Sequence, residues 1–410
     1  MENSLSNVAT GADINAALSF LRLRERLFVT WLRRLRFGRL TVSFPSGARH
    51  TFEGAEDGPQ AHLQVNSLRL VARVLAAGDV GFAESYMEGE WDTPDLATLL
   101  ALGCRNADTL SGALSPSWTS RLIGRLRHAL RANSRQGSRR NIAAHYDLGN
   151  DFYAQWLDKT MSYSSALFES SEEDMVTGQR RKYLRLARKL DLKPGDRVLE
   201  IGCGWGGFAE IAAQEFGCRI VGLTLSTEQA AFARARMQSA GLTDQVEIRL
   251  QDYRDIDETF DKIVSVEMFE AVGERYWPSY FAALDRCLKP GGRAALQIIT
   301  IDESRFSNYR DTPDFIQRYI FPGGMLPSFS AFAKSASEGG FTVVDTAFFG
   351  PSYAETLRRW DQDFRANWPA IQQLGFDQRF HRMWHYYLRY CEIGFDHGEI
   401  DVGQFLLERT

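Results

Sequence analysis

The stretch VSVEMFEAVGE, residues 264–274, opens as a buried strand would, on β-branched and small residues, and then presents Glu267 and Glu270. A strand that enters a core has no use for two carboxylates unless something outside that core needs them, because a buried ion without a partner is costly. Carboxylates this close resist ionising together, so one of the pair keeps its proton to a higher pH. That suits proton handling, with one group able to take a proton from a reacting carbon. The competing reading of Glu267 is a structural salt bridge to a neighbouring arginine.

LEIGCGWGG, residues 199–207, carries a second chemical signal, a Gly-x-Gly turn at the end of an apolar run. Such a turn lets a ligand approach the backbone, but dinucleotide folds use a similar device, and alone it decides little. No phosphate-binding lysine of the P-loop kind accompanies it. Glu200, an acid inside the strand just before the glycines, fits the S-adenosylmethionine methyltransferases better than a nicotinamide fold. LQDY, residues 250–253, resembles the adenine-edge motif of the same class. His381 and His385 lack the carboxylate motif of a zinc protease, so no metal site is expected.

The elements that must position these residues follow from pattern. From about Asp196, the apolar runs RVLEIGC, RIVGLTLS, VEIRLQD, FDKIVSVEM and RAALQIIT alternate with helical stretches such as FAEIAAQEFG and TEQAAFARARMQSAG. This alternation predicts an α/β fold, a doubly wound, Rossmann-like sheet with helices on both faces. Ligands in such sheets bind beyond the carboxyl ends of the strands, near the switch in strand order, and Glu267 and Glu270 fall at such an end. KPGG, residues 289–292, reads as the turn between a helix and the last of these strands. Upstream, RLTVSFPSGARHTFEG reads as strand around a Pro-Ser-Gly turn. Two helical stretches follow it, the second with Thr93 as cap and Pro94 in the first helical position. The expected organisation is a smaller N-terminal domain over 1–130, a basic linker at 131–140 and a methyltransferase domain over 141–410.

A net charge of −4 conceals a strong asymmetry. No acid lies between Asp108 and Asp147, where Arg121, Arg125, Arg127, Arg131, Arg135, Arg139 and Arg140 all fall. A second basic stretch, LRLRERLFVTWLRRLRFGR, spaces Phe20, Leu23, Leu27, Trp31 and Leu35 as a helix would. An apolar stripe beside a basic face suits a helix lying on an anionic membrane surface; an amphipathic helix packed on its own domain is the plainer reading. Nucleic acid would match the charge, but neither an aromatic-studded basic strand nor a reader motif is present, so none is expected as a partner. No apolar run approaches a bilayer span, the N-terminus lacks a secretory pattern, and five scattered cysteines give no disulfide framework. The expected location is cytoplasmic, peripherally associated with the inner face of the membrane.

Taken in order, IAAHYDLGNDFYAQWLDKTMSYSSALFE, VLEIGCGWGG, GLTLSTEQ, QDYRD, VSVEMFEAVG, YIFPGGMLPS and RMWHYYLRYCEIGF resemble the cyclopropane-fatty-acyl-phospholipid synthase family. The likeness covers essentially the whole chain beyond residue 140, and GFAESYMEGEWDTPDLATLL extends it into the N-terminal domain. The resemblance implies transfer of the S-adenosylmethionine methyl group to a cis double bond of a phospholipid acyl chain. It also implies a lipid-binding N-terminal domain and a homodimer as one arrangement. By the same resemblance, Tyr163, Ser164, Gly202 and Gly204 meet the cofactor's amino-acid end, Leu225 and Gln229 its ribose, and Gln251 and Asp252 its adenine. The usual ribose-binding acid is missing; Thr224 stands in that neighbourhood, and Gln229 is the family's substitute. Attack by the alkene leaves a carbocation, which aromatic faces can stabilise; Tyr146, Phe152, Phe269, Tyr319, Tyr353 and Trp360 are the candidate walls.

Synthases of this family are understood to hold a bicarbonate ion as base, caged by a cysteine, a histidine, a glutamate and a tyrosine. Glu270 and Tyr353 match that cage, but Ser165 stands for the cysteine and Gln297 for the histidine. Ala271 also departs from a frequent histidine, and Glu267 occupies a position that is usually glycine. Glutamine cannot titrate, and a second carboxylate disfavours a bound anion. These departures argue against bicarbonate as a cofactor here and for a glutamate, or a water it positions, as the base. A related substitution occurs in the mycolic-acid hydroxymethyltransferases. The expected catalytic set is Glu270, Glu267, Tyr353, Gln297 and Ser165, and the expected product a methyl- or methylene-branched chain, with ring closure to cyclopropane as the alternative. A small-molecule methyltransferase and a lipid-binding protein without a base are the remaining readings.

Overall fold

Residues 23–111 and 148–410 are described in a computed structural model, which divides into two units, Met1–Arg121 and Leu122–Thr410. The linker at 131–140, the arginines at 121–140, Phe20 and Tyr146 lie outside the described residues. In the first unit, β1 (Phe37–Ser43) and β2 (Arg49–Glu53) form an antiparallel hairpin whose Pro-Ser-Gly turn places Gly47 at φ +82°. With β3 (Glu56–Val65) and β4 (Trp91–Asp92) they make a sheet of order β2-β1-β3-β4. Helix α1 (Arg69–Met87) breaks its helical geometry at Gly78, and α2 (Leu96–Arg105) follows β4. The cap of α2 is Asp95 rather than Thr93. Its carboxylate accepts the Thr98 amide at 3.1 Å, whereas Thr93 Oγ1 accepts only the Asp95 amide and Pro94 stays outside the helix. The described helix at 23–32 buries Phe28 and Leu32 but leaves Leu23 and Leu27 53% and 50% exposed, so of the stripe read from the sequence only its later members, half-buried Trp31 and buried Leu35, pack on the unit.

The second unit is built on a seven-stranded sheet of order β10-β11-β9-β8-β5-β6-β7. Its parallel strands are β5 (Arg197–Ile201), β6 (Arg219–Thr224), β7 (Val246–Leu250), β8 (Phe260–Val266) and β9 (Leu288–Ile301). Strand order runs outward from β5 in both directions, which opens the crevice where such folds bind ligands. One face carries α3 (Met175–Lys189), α4 (Gly207–Phe216) and α5 (Thr227–Ser239) over a core including Leu186, Phe208, Ala233 and Val264. The other carries α6 (Trp277–Cys287) and α7 (Phe329–Glu338) over Phe260, Phe281, Leu296 and Phe332. KPGG is not a free turn: it lies inside β9, where the pairing to β8 shifts register and absorbs Pro290. Past this core, β10 (Phe341–Phe348), the packed helices α8 (Gly350–Ala366) and α9 (Gln378–Asp396), and β11 (Ile400–Arg409) complete the chain. The terminal strand inserts antiparallel between β9 and β10, placing Gln404 opposite Gln297.

Candidate active site

Strands β5, β6, β7 and β8 deliver their carboxyl ends to one pocket. Its lining includes Tyr163, Ser164, Gly202, Gly204, Leu225, Gln229, Gln251 and Asp252, so all eight positions expected to bind cofactor come together, with Glu267 on the same wall. Gly204, at φ +51°, would point a Cβ away from every protein atom within 4 Å, and thus at the pocket's own space; the backbone there is open to a ligand. Glu200 is buried beneath the glycines and one of its carboxylate oxygens, Oε2, has no hydrogen-bond partner. Burial pushes its pKa well above the carboxylate range, the state of an acid awaiting a polar ligand. Thr224 Oγ1 donates to Gln229 Oε1 at 2.8 Å, which orients the Gln229 amide group, while Ser226 caps the same helix on the Gln229 backbone amide. Both oxygens of Asp252 are held by Arg254, at 2.9 and 2.6 Å.

Beside this pocket lies a cage with a carboxylate already in it. Glu267 Oε1 accepts the Ser165 backbone amide at 2.9 Å and Gln297 Nε2 at 2.7 Å, and Oε2 accepts the Tyr353 hydroxyl at 2.6 Å. The Glu267 amide in turn donates to the Gln297 carbonyl at 2.7 Å, a two-point clasp between β8 and β9. Among the described residues no arginine pairs with Glu267; its partners are the three donors just named. Gln297 is itself oriented. Its Oε1 accepts Gln404 Nε2 at 3.0 Å, and Gln404 Oε1 accepts Arg185 Nε at 2.7 Å, so the amide nitrogen of Gln297 is turned to the carboxylate. Glu267 has a backbone φ of +50°, a left-handed conformation that an ordinary side chain adopts at a cost of roughly 1–3 kcal/mol. The resemblance implies glycine at this position in the cyclopropane-forming members. Strain of this kind, held by three donors, points to a retained function.

The two glutamates are not equivalent. Burial raises Glu267, but the Lys182 ammonium, the Tyr353 hydroxyl, Gln297 and the Ser165 amide all pull it back toward the ionised form. Glu270 is raised to about 8 by burial and by the Glu267 charge; Oε1 accepts the Ile299 amide at 2.5 Å and Oε2 is unpartnered. The pair is therefore unequal: three donors and the Lys182 ammonium draw Glu267 toward its ionised form, while Glu270, with one donor and a carboxylate neighbour, is held toward its protonated form.

The aromatic wall differs from expectation. Phe269 turns into the core against Trp277, Tyr280 and Phe332, and Phe152 packs among Phe376, Phe380 and Trp384. Tyr319 tilts against Phe315. Only Tyr353 and Trp360 of the described candidates join Tyr163, whose ring lies 5.4 Å from that of Trp360 and whose hydroxyl meets Tyr387 at 2.8 Å. Residues not singled out from sequence are Lys182, Gln404, Arg185, Ile299 and Tyr387. Lys182 left one trace: in GQRRKYLRLA it shares the helical stripe of Gln179, Tyr183 and Leu186, and a lysine on a buried stripe signals a partner.

A sheet of this order, a glycine turn open to ligand and polar groups at the ends of β6 and β7 define an S-adenosylmethionine-dependent methyltransferase, with S-adenosylmethionine as methyl donor. The chain belongs to the mycolic acid cyclopropane synthetase family, whose model matches residues 133–405. It is 43% identical to tuberculostearic acid methyltransferase UfaA1 of Mycobacterium tuberculosis over 88% of this chain and 86% of that protein. It is 38% identical to cyclopropane-fatty-acyl-phospholipid synthase of Escherichia coli over 85% of this chain and 88% of that one. Among solved structures, mycolic acid cyclopropane synthase CmaA1 complexed with SAH and CTAB superposes with a TM-score of 0.62 at 32% identity, covering 66% of this chain and 98% of that chain.

Proposed function

We propose that this protein transfers a methyl group to a double bond of an unsaturated acyl chain in membrane phospholipid, and that Glu267 then removes a proton to leave a methyl- or methylene-branched chain. The observation that carries this reading is the Glu267 carboxylate, held by Ser165, Gln297 and Tyr353 on the wall of the cofactor pocket. S-adenosylmethionine, when bound, supplies an electrophilic methyl group. Tyr163, Ser164, Gly202 and Gly204 would hold its amino-acid end, Leu225 and Gln229 its ribose, and Gln251 and Asp252 its adenine. The alkene's π pair forms the new carbon–carbon bond as the methyl–sulfur bond breaks with its electron pair left on sulfur, a neutral thioether departs, and the adjacent carbon becomes positive. Rings of Tyr163, Tyr353 and Trp360 exclude water and tolerate that charge without capturing it. Glu267 accepts one C–H proton, and the electrons of that bond form a new double bond in the branched chain. A saturated branch would need a reductant and is not proposed.

Two features favour branching over ring closure. A base anchored through its own backbone cannot follow the new methyl group as a free anion can, and the relative UfaA1 is called a methyltransferase. The second reading, closure to cyclopropane, is supported by the Escherichia coli relative and by the presence of Glu270 and Tyr353. The test is mass spectrometry and proton NMR of products from purified enzyme, unsaturated phospholipid vesicles and methyl-labelled cofactor. Branched olefin is expected; cyclopropane as sole product would overturn the branching claim while leaving methyl transfer intact. Phospholipid would be met at an anionic membrane surface on the cytoplasmic side, for which the exposed Arg26, Arg33 and Arg34 beside Leu23 and Leu27 are the support. A homodimer is the proposed assembly, on the family's habit alone.

A further inference from the structure

Lys182 is a charged side chain in the wrong place for a structural lysine. It is 0% exposed, on the face of α3 turned toward the sheet, and among the described residues no carboxylate lies within ion-pair distance of its Nζ. Its hydrogen bonds go instead to neutral oxygens, Ser164 Oγ at 2.6 Å and Gln179 Oε1 at 2.5 Å, and its Nζ lies 4.3 Å from the centre of the Tyr183 ring. Gln179 Nε2 donates to the Ser164 carbonyl at 2.8 Å, so lysine and glutamine together grip residue 164 at two points. The next residue, Ser165, gives its amide to Glu267. From the other side, Gln404 Nε2 donates both to the Lys182 carbonyl at 3.2 Å and to Gln297 Oε1, and Gln297 donates to Glu267. Two chains of hydrogen bonds thus tie Lys182 to the same carboxylate. The charged groups that face it are Glu267 from the end of β8 and Asp158 from the segment before residue 162; Tyr353 on α8, Gln297 on β9 and Gln404 on β11 contribute neutral groups.

We propose that Lys182 is a positioning residue for the reaction: its buried ammonium fixes the Ser164–Ser165 segment and supplies the positive charge opposite the Glu267 carboxylate. The inference rests on the reading of Glu267 as base. Taking an ammonium out of water without a direct ion pair is unfavourable, so a site that keeps one has a use for its field. Burial lowers Lys182 to about 7, with Glu267 and then Asp158 opposing that fall, and reciprocally the ammonium favours ionised Glu267. Each group thus opposes the neutralisation that burial imposes on the other.

The experiment is the pH dependence of kcat/KM for Lys182→Met and Lys182→Arg, with Glu267→Gln as reference. Glu267 must be ionised to act, so removing the ammonium should move the acidic limb of the Lys182→Met profile up by about 1–3 pH units. Turnover near pH 7 falls by about tenfold or more and recovers toward higher pH. Lys182→Arg should keep the wild-type limb. A limb that stays put in Lys182→Met, whether activity falls uniformly or is unchanged, would overturn the inference. Should Lys182→Met fail to fold, the double variant Lys182→Met/Glu267→Gln decides. Coupling predicts that removing the facing carboxylate restores a folded protein, and a double variant that stays unfolded counts against the pairing. An active Glu267→Gln would sink the base assignment instead, which separates the two claims.

Discussion

At φ +50°, Glu267 occupies backbone that glycine would fill without strain, and its carboxylate is fixed by three donors from three separate segments. Its neighbour Glu270 is the quieter partner, raised from 4.5 to about 8 by burial and by the Glu267 carboxylate. The sign of its effect on stability follows. Between those two values the folded state keeps a proton that the unfolded state has lost, so this group's contribution falls as pH rises through the window. Glu270→Gln, which cannot ionise, should therefore gain in thermal unfolding midpoint over wild type as pH goes from about 5 to about 8. A constant difference across that range would mean that Glu270 ionises alike in both states.

Element by element, the carboxyl ends of four parallel strands line the pocket proposed for the cofactor, and the glycine turn after β5 is where its backbone lies open. Gly204→Val puts a β-branched side chain at φ +51° and aims it at that space, so affinity for S-adenosylmethionine by calorimetry should drop at least about tenfold while the far-ultraviolet spectrum is kept. Unchanged affinity would remove the glycine turn from the site. The five parallel strands were legible because each is an apolar run bounded by turns; of the positions proposed for the cofactor, Gly202, Leu225 and Gln251 follow strand ends, whereas Tyr163, Ser164 and Gln229 came from family order alone. The cage around Glu267 was legible only as a set of departures. Gln297 and Ser165 read as lost functions in the sequence, yet a side-chain amide and a backbone amide suffice to hold a carboxylate. Gln404 was invisible as a site residue because β11 folds back late in the chain to pair with β9, and Lys182 left only its place on the apolar stripe of α3. KPGG and the cap of α2 misled because local turn chemistry was overridden by strand pairing in one case and outcompeted by Asp95 in the other.

On the scale of the molecule, the reaction needs a lipid chain brought to a buried carboxylate. The first unit presents Leu23 and Leu27 beside exposed Arg26, Arg33 and Arg34, while Phe28 and Leu32 pack inward. Among the described residues no helix is long and apolar enough to cross a membrane. Surface attachment through this patch predicts that flotation with anionic vesicles weakens as salt rises, since exposed charges are screened within about 8–10 Å at physiological strength. Leu23→Asp/Leu27→Asp should weaken it further. Equal binding to neutral and anionic vesicles at low salt would assign the arginines another purpose.

The central claim is that the chain carries its own base where relatives bind an ion. Initial rates on unsaturated phospholipid vesicles, in buffer stripped of carbon dioxide and then titrated with bicarbonate, test it directly for wild type and Glu267→Gly. Wild type should be active without bicarbonate and flat across the titration. Glu267→Gly, which empties the cage of Ser165, Gln297 and Tyr353, should lose about 10²–10⁴-fold in turnover, recover as bicarbonate is added, and shift any product mixture toward cyclopropane. A wild-type enzyme that needs bicarbonate, or a Glu267→Gly enzyme fully active without it, would contradict the account.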